Sequence, residues 1–196
     1  SFVPSYRKKS QMKQNYFFLS LLIITSCAIF VFFVVTLFAE LGWLYPPLIF
    51  PDSRVYINIS DNSLLSSTFY TSSRPFTTSF FYKIWGSTPL NFMKGQQILF
   101  SFCWVLLSLV ISLTIKNKVL SFFFLLLFST VPFWWDIMGW NRVIHSESIT
   151  FSLFALWYAL IILYSRYRLW LFLSLLCPIT LFFSFTRDNL PLFLLS

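Results

Sequence analysis

The sequence has little charge, little glycine and few residues that bind metals or form disulfide bonds. Charged residues are 10% of its 196 residues, hydrophobic residues are 58%, and the mean hydropathy is +0.76. This composition excludes an ordinary soluble domain and predicts a polytopic membrane protein. The chain has three cysteines, each inside an apolar run, and one histidine, which indicates neither a disulfide framework nor a metal cluster. With only four glycines, it carries no Gly-rich phosphate loop.

Carboxylates are scarcer still, with six acidic residues against 14 basic ones and a formal net charge of +8. The basic residues are scattered in short clusters beside apolar runs and do not form one continuous basic surface. We therefore interpret the positive charge as a signal of membrane topology and expect membrane lipid, and no nucleic acid, as a partner.

The apolar runs predict an all-α, polytopic transmembrane helical bundle with about five spans, because a helix of ~20 apolar residues satisfies its own backbone in hydrocarbon. Residues 1–15 are expected to form a basic cytoplasmic segment, and residues 16–196 a transmembrane domain that continues beyond the C-terminus. The segment at about 40–95 is expected to be a long exoplasmic first loop with short interfacial helices, one of them at 76–86. The predicted spans are residues 16–39, 96–115, 119–136, 148–164 and 169–185.

Charge also predicts which side of the membrane each loop faces. Three basic segments fall on one side of the predicted bundle, which the positive-inside rule makes cytoplasmic. They contain Arg7, Lys8, Lys9 and Lys13, then Lys116 and Lys118, then Arg166 and Arg168. All six acidic residues then fall on the exoplasmic side: Glu40, Asp52, Asp61, Asp136, Glu147 and Asp188. We expect a plasma (inner) membrane protein with its N-terminus in the cytoplasm, or an ER membrane protein in a eukaryote, with polar chemistry outside.

The first candidate cluster lies in the long loop and contains Asp52, Arg54 and Arg74. A carboxylate near the membrane surface could accept a proton from a hydroxyl group held there. A nearby arginine would suit a phosphate-bearing ligand, since the guanidinium group binds phosphate with two donors. The alternative is that these residues are ordinary solvated charges.

Two further clusters follow. Arg142, His145 and Glu147 lie together at the exoplasmic mouth of two predicted spans. The simpler explanation here is that Ser146 caps the fourth span, with Glu147 in its first turn, and that His145 is a hydrogen-bonded structural residue. Arg187, beside an aspartate, either marks the outer end of the fifth span or lines a polar cavity.

This arrangement resembles the GT-C superfamily of membrane glycosyltransferases, such as the protein mannosyltransferase and aminoarabinose transferase types. The similar features are a cytoplasmic N-terminus, one span, a long exoplasmic loop with an early aspartate, and then spans with short connections. The stretches that carry the resemblance are FPDSRVYINIS, SSRPFTTSFFYKIWG and HSESITFSLFAL. Ser53 follows Asp52 where some branches have a second acidic residue, so the sugar and the acceptor stay open.

The resemblance implies transfer of a sugar from a polyprenyl-phosphate donor to an acceptor on the exoplasmic side, with Asp52 as general base. It also implies that a divalent cation, Mg²⁺ or Mn²⁺, could be held by Asp52 and Glu147. The residues expected to bind substrate are Arg54, Arg74, Arg142, His145, Glu147 and Arg187.

Two other functions remain open from the sequence: a transporter or flippase for a lipid-linked substrate, and a noncatalytic membrane subunit. One geometric feature separates them from an enzyme. In an enzyme, Asp52 and Glu147 are expected to face one cavity, whereas residues on opposite sides of the bundle would argue against catalysis.

Overall fold

The computed structural model describes residues 4–41, 46–71, 74–86, 88–134, 139 and 141–186. Within these residues the chain is helical, and its β-structure is a single bridge. The main elements are α1 (Pro4–Leu41), α2 (Pro51–Asp61), α3 (Ser67–Tyr70), α4 (Phe76–Trp85), α5 (Pro89–Thr114), α6 (Lys118–Ser129), a 3-10 turn (Val131–Phe133), α7 (Ser146–Tyr167) and α8 (Trp170–Ser184).

Three helices are long and apolar enough to cross a membrane: Asn15–Thr36 within α1, all of α5 and all of α7. They correspond to the first, second and fourth predicted spans and support the prediction of a membrane protein. The third and fifth predicted spans are helical as well, but α6 has 12 residues and α8 has 15. Since ~20 residues are needed to cross the hydrocarbon core, two further spans stay a prediction. The third run is cut short near Pro132, which lacks the N–H that a continuing helix requires.

Much of the predicted loop at about 40–95 is helical. It contains α2, α3 and α4, and α1 itself runs on to Leu41. The helix predicted at 76–86 is present as Phe76–Trp85. It ends at Gly86, whose φ of 110° is a conformation that only glycine adopts without strain. Whether these helices lie in a membrane interface stays a prediction.

The core has two parts, and α5 contributes to both. Along the bundle, α5 packs against α7, where Ala155 and Ala159 are small enough to let the two helices approach closely. At the other end, aromatic side chains of α2, α4 and α5 pack against residues of α7 and α8. There the Tyr82 ring stacks on Phe92 at a centroid distance of 4.7 Å, which fixes α4 on the first turn of α5. The polar residues at the start of α2 and α7 lie next to this aromatic cluster.

Candidate active site

A short parallel bridge brings two distant segments together. The Leu48 N–H donates to the Arg142 carbonyl at 3.0 Å, and the Ile144 N–H donates to the Leu48 carbonyl at 3.2 Å. Leu48 lies just before α2, and the paired segment lies just before α7. The bridge therefore sets the N-termini of α2 and α7 side by side.

The start of α2 presents Asp52 at this junction. Pro51 opens the helix, where its missing N–H and fixed φ cost nothing. The Ser53 hydroxyl accepts a hydrogen bond from the Phe50 N–H at 3.0 Å, which fixes the entry of the chain into the helix. Asp52 thus stands in the first turn, where the helix dipole favours a carboxylate.

The polar side chains meet in a cleft of about 590 Å³, which we call the Asp52 cleft. This volume lies within the range of small-molecule sites. Asp52 and Glu147 both line it, so the two carboxylates face one cavity. The described lining residues are Phe50, Pro51, Asp52, Val143, His145 and Glu147.

Each carboxylate has a cationic or ionisable neighbour. Arg74 Nη2 lies 2.8 Å from Asp52 Oδ1. His145 stands between the two acids, with Nδ1 against Glu147 Oε2 and Nε2 3.7 Å from Asp52 Oδ2. The side chains of Asp52 and Arg74 are 43% and 33% exposed, and those of His145 and Glu147 are about a quarter exposed. All four side chains are therefore only partly buried, and Asp52, His145 and Glu147 also line the cleft.

Buried groups under the cleft fix the position of His145. The Tyr82 hydroxyl lies 3.0 Å from the His145 carbonyl and 3.1 Å from Gln96 Oε1, and its proton is shared between them. Burial raises the pKa of Tyr82 well above its usual value, with smaller contributions from Tyr56 and Glu147, so the phenol stays a neutral donor. The same Gln96 donates from Nε2 to the carbonyls of Asn141 and Val143, both at 2.7 Å.

Helix α2 is fixed to α4 by two polar side chains. Ser79 of α4 donates its hydroxyl proton to the Tyr56 carbonyl at 3.1 Å. The Lys83 ammonium donates to the carbonyls of Ser60 and Asn62, at 2.9 and 2.7 Å, where the end of α2 leaves carbonyls without helical partners. These contacts fix α2 through residues that follow Asp52 along the chain, and so they fix the position of Asp52 as well.

The structure brings together four of the predicted site residues: Asp52, Arg74, His145 and Glu147. Arg54 is exposed on α2 and is not among the described residues that line the cleft. Arg142 contributes its backbone carbonyl to the bridge and also does not line the cleft. The prediction for Arg187 lies outside the described residues.

One local prediction is wrong. Ser146 does not cap α7: His145 occupies the N-cap position without a side-chain hydrogen bond to the helix, and Ser146 is the first helical residue. Its side chain is buried. Glu147 is in the first turn, as predicted.

A Mg²⁺ or Mn²⁺ ion shared by Asp52 and Glu147 stays a prediction. Mg²⁺ prefers six oxygen ligands in octahedral geometry. Here the imidazole of His145 stands between the carboxylates of Asp52 and Glu147, and Arg74 already contacts Asp52. Across the part of the chain that the structure describes, no three His, Cys, Asp or Glu side chains are grouped to hold a metal. The mechanism proposed below has no metal step.

The residues that support the site were not found from the sequence. Tyr82 and Gln96 make the buried hydrogen bonds near His145, but Tyr82 stands in an apolar stretch that predicts packing, and Gln96 stands at the start of a predicted span. The available signal was Gln96 itself, since an amide inside an apolar helix needs buried partners.

The fold and the site define a helical protein with helices of membrane-spanning length and a cleft lined by two carboxylates and a histidine, with Arg74 paired to Asp52 beside it. Comparisons with protein-family models, curated proteins and solved structures found no match to this chain.

Proposed function

We propose that this protein is a membrane glycosyltransferase that moves a sugar from a polyprenyl-phosphate donor to an acceptor hydroxyl or other nucleophile, with the Asp52 cleft as its active site. The observation that carries the proposal is that Asp52 and Glu147, from segments nearly a hundred residues apart, line one cleft together with His145. A noncatalytic subunit would not require these charges to converge. The resemblance to GT-C enzymes supplies the reaction class.

Asp52 is the general base in this proposal. The acceptor oxygen attacks the anomeric carbon, its proton passes to the Asp52 carboxylate, and the bond between the anomeric carbon and the phosphate oxygen breaks. The polyprenyl phosphate leaves with the electron pair of that bond. His145 and Glu147 orient the acceptor, because the Glu147 contact at Nδ1 fixes the ring and leaves Nε2 on the Asp52 side.

The donor phosphate is bound by Arg74 and by two helix ends. Arg74 is held beside Asp52 through Nη2, and a guanidinium group at this position suits the donor phosphate. The N-termini of α2 and α7 also meet at the cleft, and helix N-termini favour anions. Preorganised donors of this kind stabilise the departing phosphate more strongly than water does.

The proposal places the Asp52 cleft on the exoplasmic side. The described basic residues Lys116, Lys118 and Arg166 stand at the other end of α5 and α7 from Glu147. By the positive-inside rule that basic end is cytoplasmic. An exoplasmic site favours a lipid-linked donor, since nucleotide sugars are cytosolic.

The test is a transfer assay on membranes that contain the full chain, incubated with a panel of radiolabelled polyprenyl-phosphate sugars. We expect one donor class to lose its sugar to an acceptor in the presence of the wild-type chain. Asp52→Asn should abolish this transfer while the protein still folds and inserts. Asp61→Asn is the matched control, because Asp61 is an exposed carboxylate at the opposite end of the same helix.

The controls separate the rival functions. If Asp52→Asn keeps wild-type transfer and a His145 variant loses it, the base is His145 and not Asp52. If the wild-type chain moves labelled lipid across the membrane without breaking the sugar–phosphate bond, the protein is a flippase and the enzyme proposal fails.

A further inference from the structure

A second polar cleft lies at the opposite end of the bundle from Asp52. It has a volume of about 370 Å³ and lies between α1, the end of α5, the start of α6 and the end of α7. Three basic residues line it, Lys116, Lys118 and Arg166, together with Asn15. We call it the basic cleft. Along α7, Arg166 is 19 residues from Glu147, which is roughly 28 Å at 1.5 Å per residue. The basic cleft is therefore separate from the proposed active site.

The basic side chains of this cleft come from two different parts of the fold. Lys116 and Lys118 belong to the link between α5 and α6, and Lys118 Nζ lies 5.5 Å from the centre of the Phe18 ring of α1. Arg166 belongs to the last turn of α7 and donates from Nη1 to the Leu113 carbonyl at the end of α5. That bond uses one of its five N–H donors and leaves others for a ligand. Among the lining residues that the structure describes, none is acidic.

The position of the basic cleft points to lipid. The three helices of membrane-spanning length each have one end here, at Asn15, Thr114 and Tyr167. The rest of the cleft wall is Ser112 and five apolar residues, Phe18, Leu19, Leu22, Leu113 and Ile115. Just beyond it, Val119 and Leu120 of α6 are exposed. A ligand that fits this site is anionic at one end and apolar along its length.

We propose that the basic cleft binds the headgroup phosphate of an anionic phospholipid, with the acyl chains along the exposed apolar surface of α6 and α1. Basic pockets between membrane helices are suited to anionic headgroups. The sequence before Asn15 adds four further basic residues, Arg7, Lys8, Lys9 and Lys13. This inference does not depend on the glycosyltransferase proposal.

The test uses the purified full chain in a neutral detergent, titrated with phosphatidylglycerol and, in parallel, with phosphatidylcholine. Native mass spectrometry counts the bound lipids. We expect a saturable adduct that prefers phosphatidylglycerol. Each basic residue near a lipid surface changes affinity about fivefold, so Arg166→Gln should weaken binding by about that factor. The double variant Lys116→Gln/Lys118→Gln should weaken it by roughly 25-fold on the same scale.

Arg168→Gln is the matched control for Arg166→Gln. Arg168 lies two residues further on and carries the same charge, but it is not among the described lining residues, and its guanidinium packs over Tyr164. Its loss should leave the affinity essentially unchanged. An equal loss in Arg166→Gln and Arg168→Gln would overturn the assignment to the cleft, because it would show attraction to the whole basic end.

Two further arms complete the test. Inorganic phosphate, compared with chloride at matched ionic strength, should not displace the lipid; displacement would make the ligand a free phosphate and overturn the lipid assignment. Equal binding of phosphatidylcholine would overturn it as well. If Arg166→Gln unfolds because it loses the bond to Leu113, the Lys116/Lys118 double variant keeps that bond and decides the question. Wild-type affinity in the double variant would contradict the proposal.

Discussion

At the scale of single residues, the polar groups of the Asp52 cleft differ in how much stability they contribute. The ion pair between Asp52 and Arg74 is more than a third exposed on the Asp52 side, and exposed ion pairs contribute about 0–1 kcal/mol. Asp52→Asn should therefore leave the fold nearly as stable as the wild type. A loss of activity in that variant can then be assigned to chemistry and not to unfolding.

Among the described glycines, Gly95 has the least room for a side chain. A Cβ atom on Gly95 would lie 2.1 Å from Cδ2 of the Trp85 indole, which rests on the α5 backbone at this point. We predict that Gly95→Ala displaces Trp85 and lowers the free energy of unfolding by about 1–3 kcal/mol, the usual range for overpacking. The melting temperature in detergent measures this loss of stability.

The control for Gly95→Ala is Gly139→Ala, since a Cβ there would meet no described atom within 4 Å. The two variants make the same chemical change. Equal melting temperatures for both would contradict the close packing of Trp85 on α5.

At the scale of the elements, the site depends on hydrogen bonds to the backbone just before α7, at residues 141–145. The Gln96 amide donates hydrogen bonds to the carbonyls of Asn141 and Val143 and accepts one from the Tyr82 hydroxyl. Gln96→Leu removes the donor of the Asn141 and Val143 carbonyls, at a cost of about 1–3 kcal/mol for each one left unsatisfied, while the Tyr82 hydroxyl keeps the His145 carbonyl as an acceptor. We predict a lower melting temperature and weaker donor binding, because the backbone just before His145 loses these hydrogen bonds.

The neighbouring residue provides the control. The amide nitrogen of Gln97 is buried and has no hydrogen-bond partner within the described residues. Gln97→Leu removes an unsatisfied polar group, so it should be neutral or stabilising. If Gln97→Leu destabilises the protein as much as Gln96→Leu does, the hydrogen bonds of Gln96 are not what fixes the backbone.

The elements also show how much the sequence could predict. Apolar runs predicted the positions of α1, α5 and α7, because length and hydropathy alone define a membrane-spanning helix. The apolar stretch at 76–86 predicted a short helix, which the structure has as Phe76–Trp85. The bridge at Leu48 was not predictable, since pairing between segments far apart in sequence depends on tertiary packing. For the same reason, Asp52 and Glu147 fall in separate clusters of the sequence. Their meeting at one cavity was expected only for an enzyme, and the fold brings both to the Asp52 cleft.

At the scale of the whole molecule, the bundle has two polar ends of different character. One end holds the carboxylates of the Asp52 cleft, and the other holds the cations of the basic cleft. This polarity predicts how the chain is oriented in a membrane, because basic residues are retained on the cytoplasmic side.

Cysteine labelling tests the orientation. In a chain whose three native cysteines are replaced by alanine, Asp61→Cys and Lys116→Cys place exposed thiols at the two ends. A membrane-impermeant maleimide should label Asp61→Cys in intact cells and Lys116→Cys only after permeabilisation. The reverse pattern would put the Asp52 cleft in the cytoplasm, within reach of nucleotide sugars, and would remove the argument for a lipid-linked donor.

The most direct measurement is single turnover by purified protein with the donor that the membrane assay identifies. Release of polyprenyl phosphate is followed for the wild type, Asp52→Asn and Asp61→Asn, and donor binding is measured on the same samples. A general base contributes about 10²–10⁴-fold, so Asp52→Asn should bind donor normally and release phosphate at least ~100-fold more slowly. Asp61→Asn should match the wild type in both. Release by Asp52→Asn at the wild-type rate would contradict the assignment of Asp52 as the base.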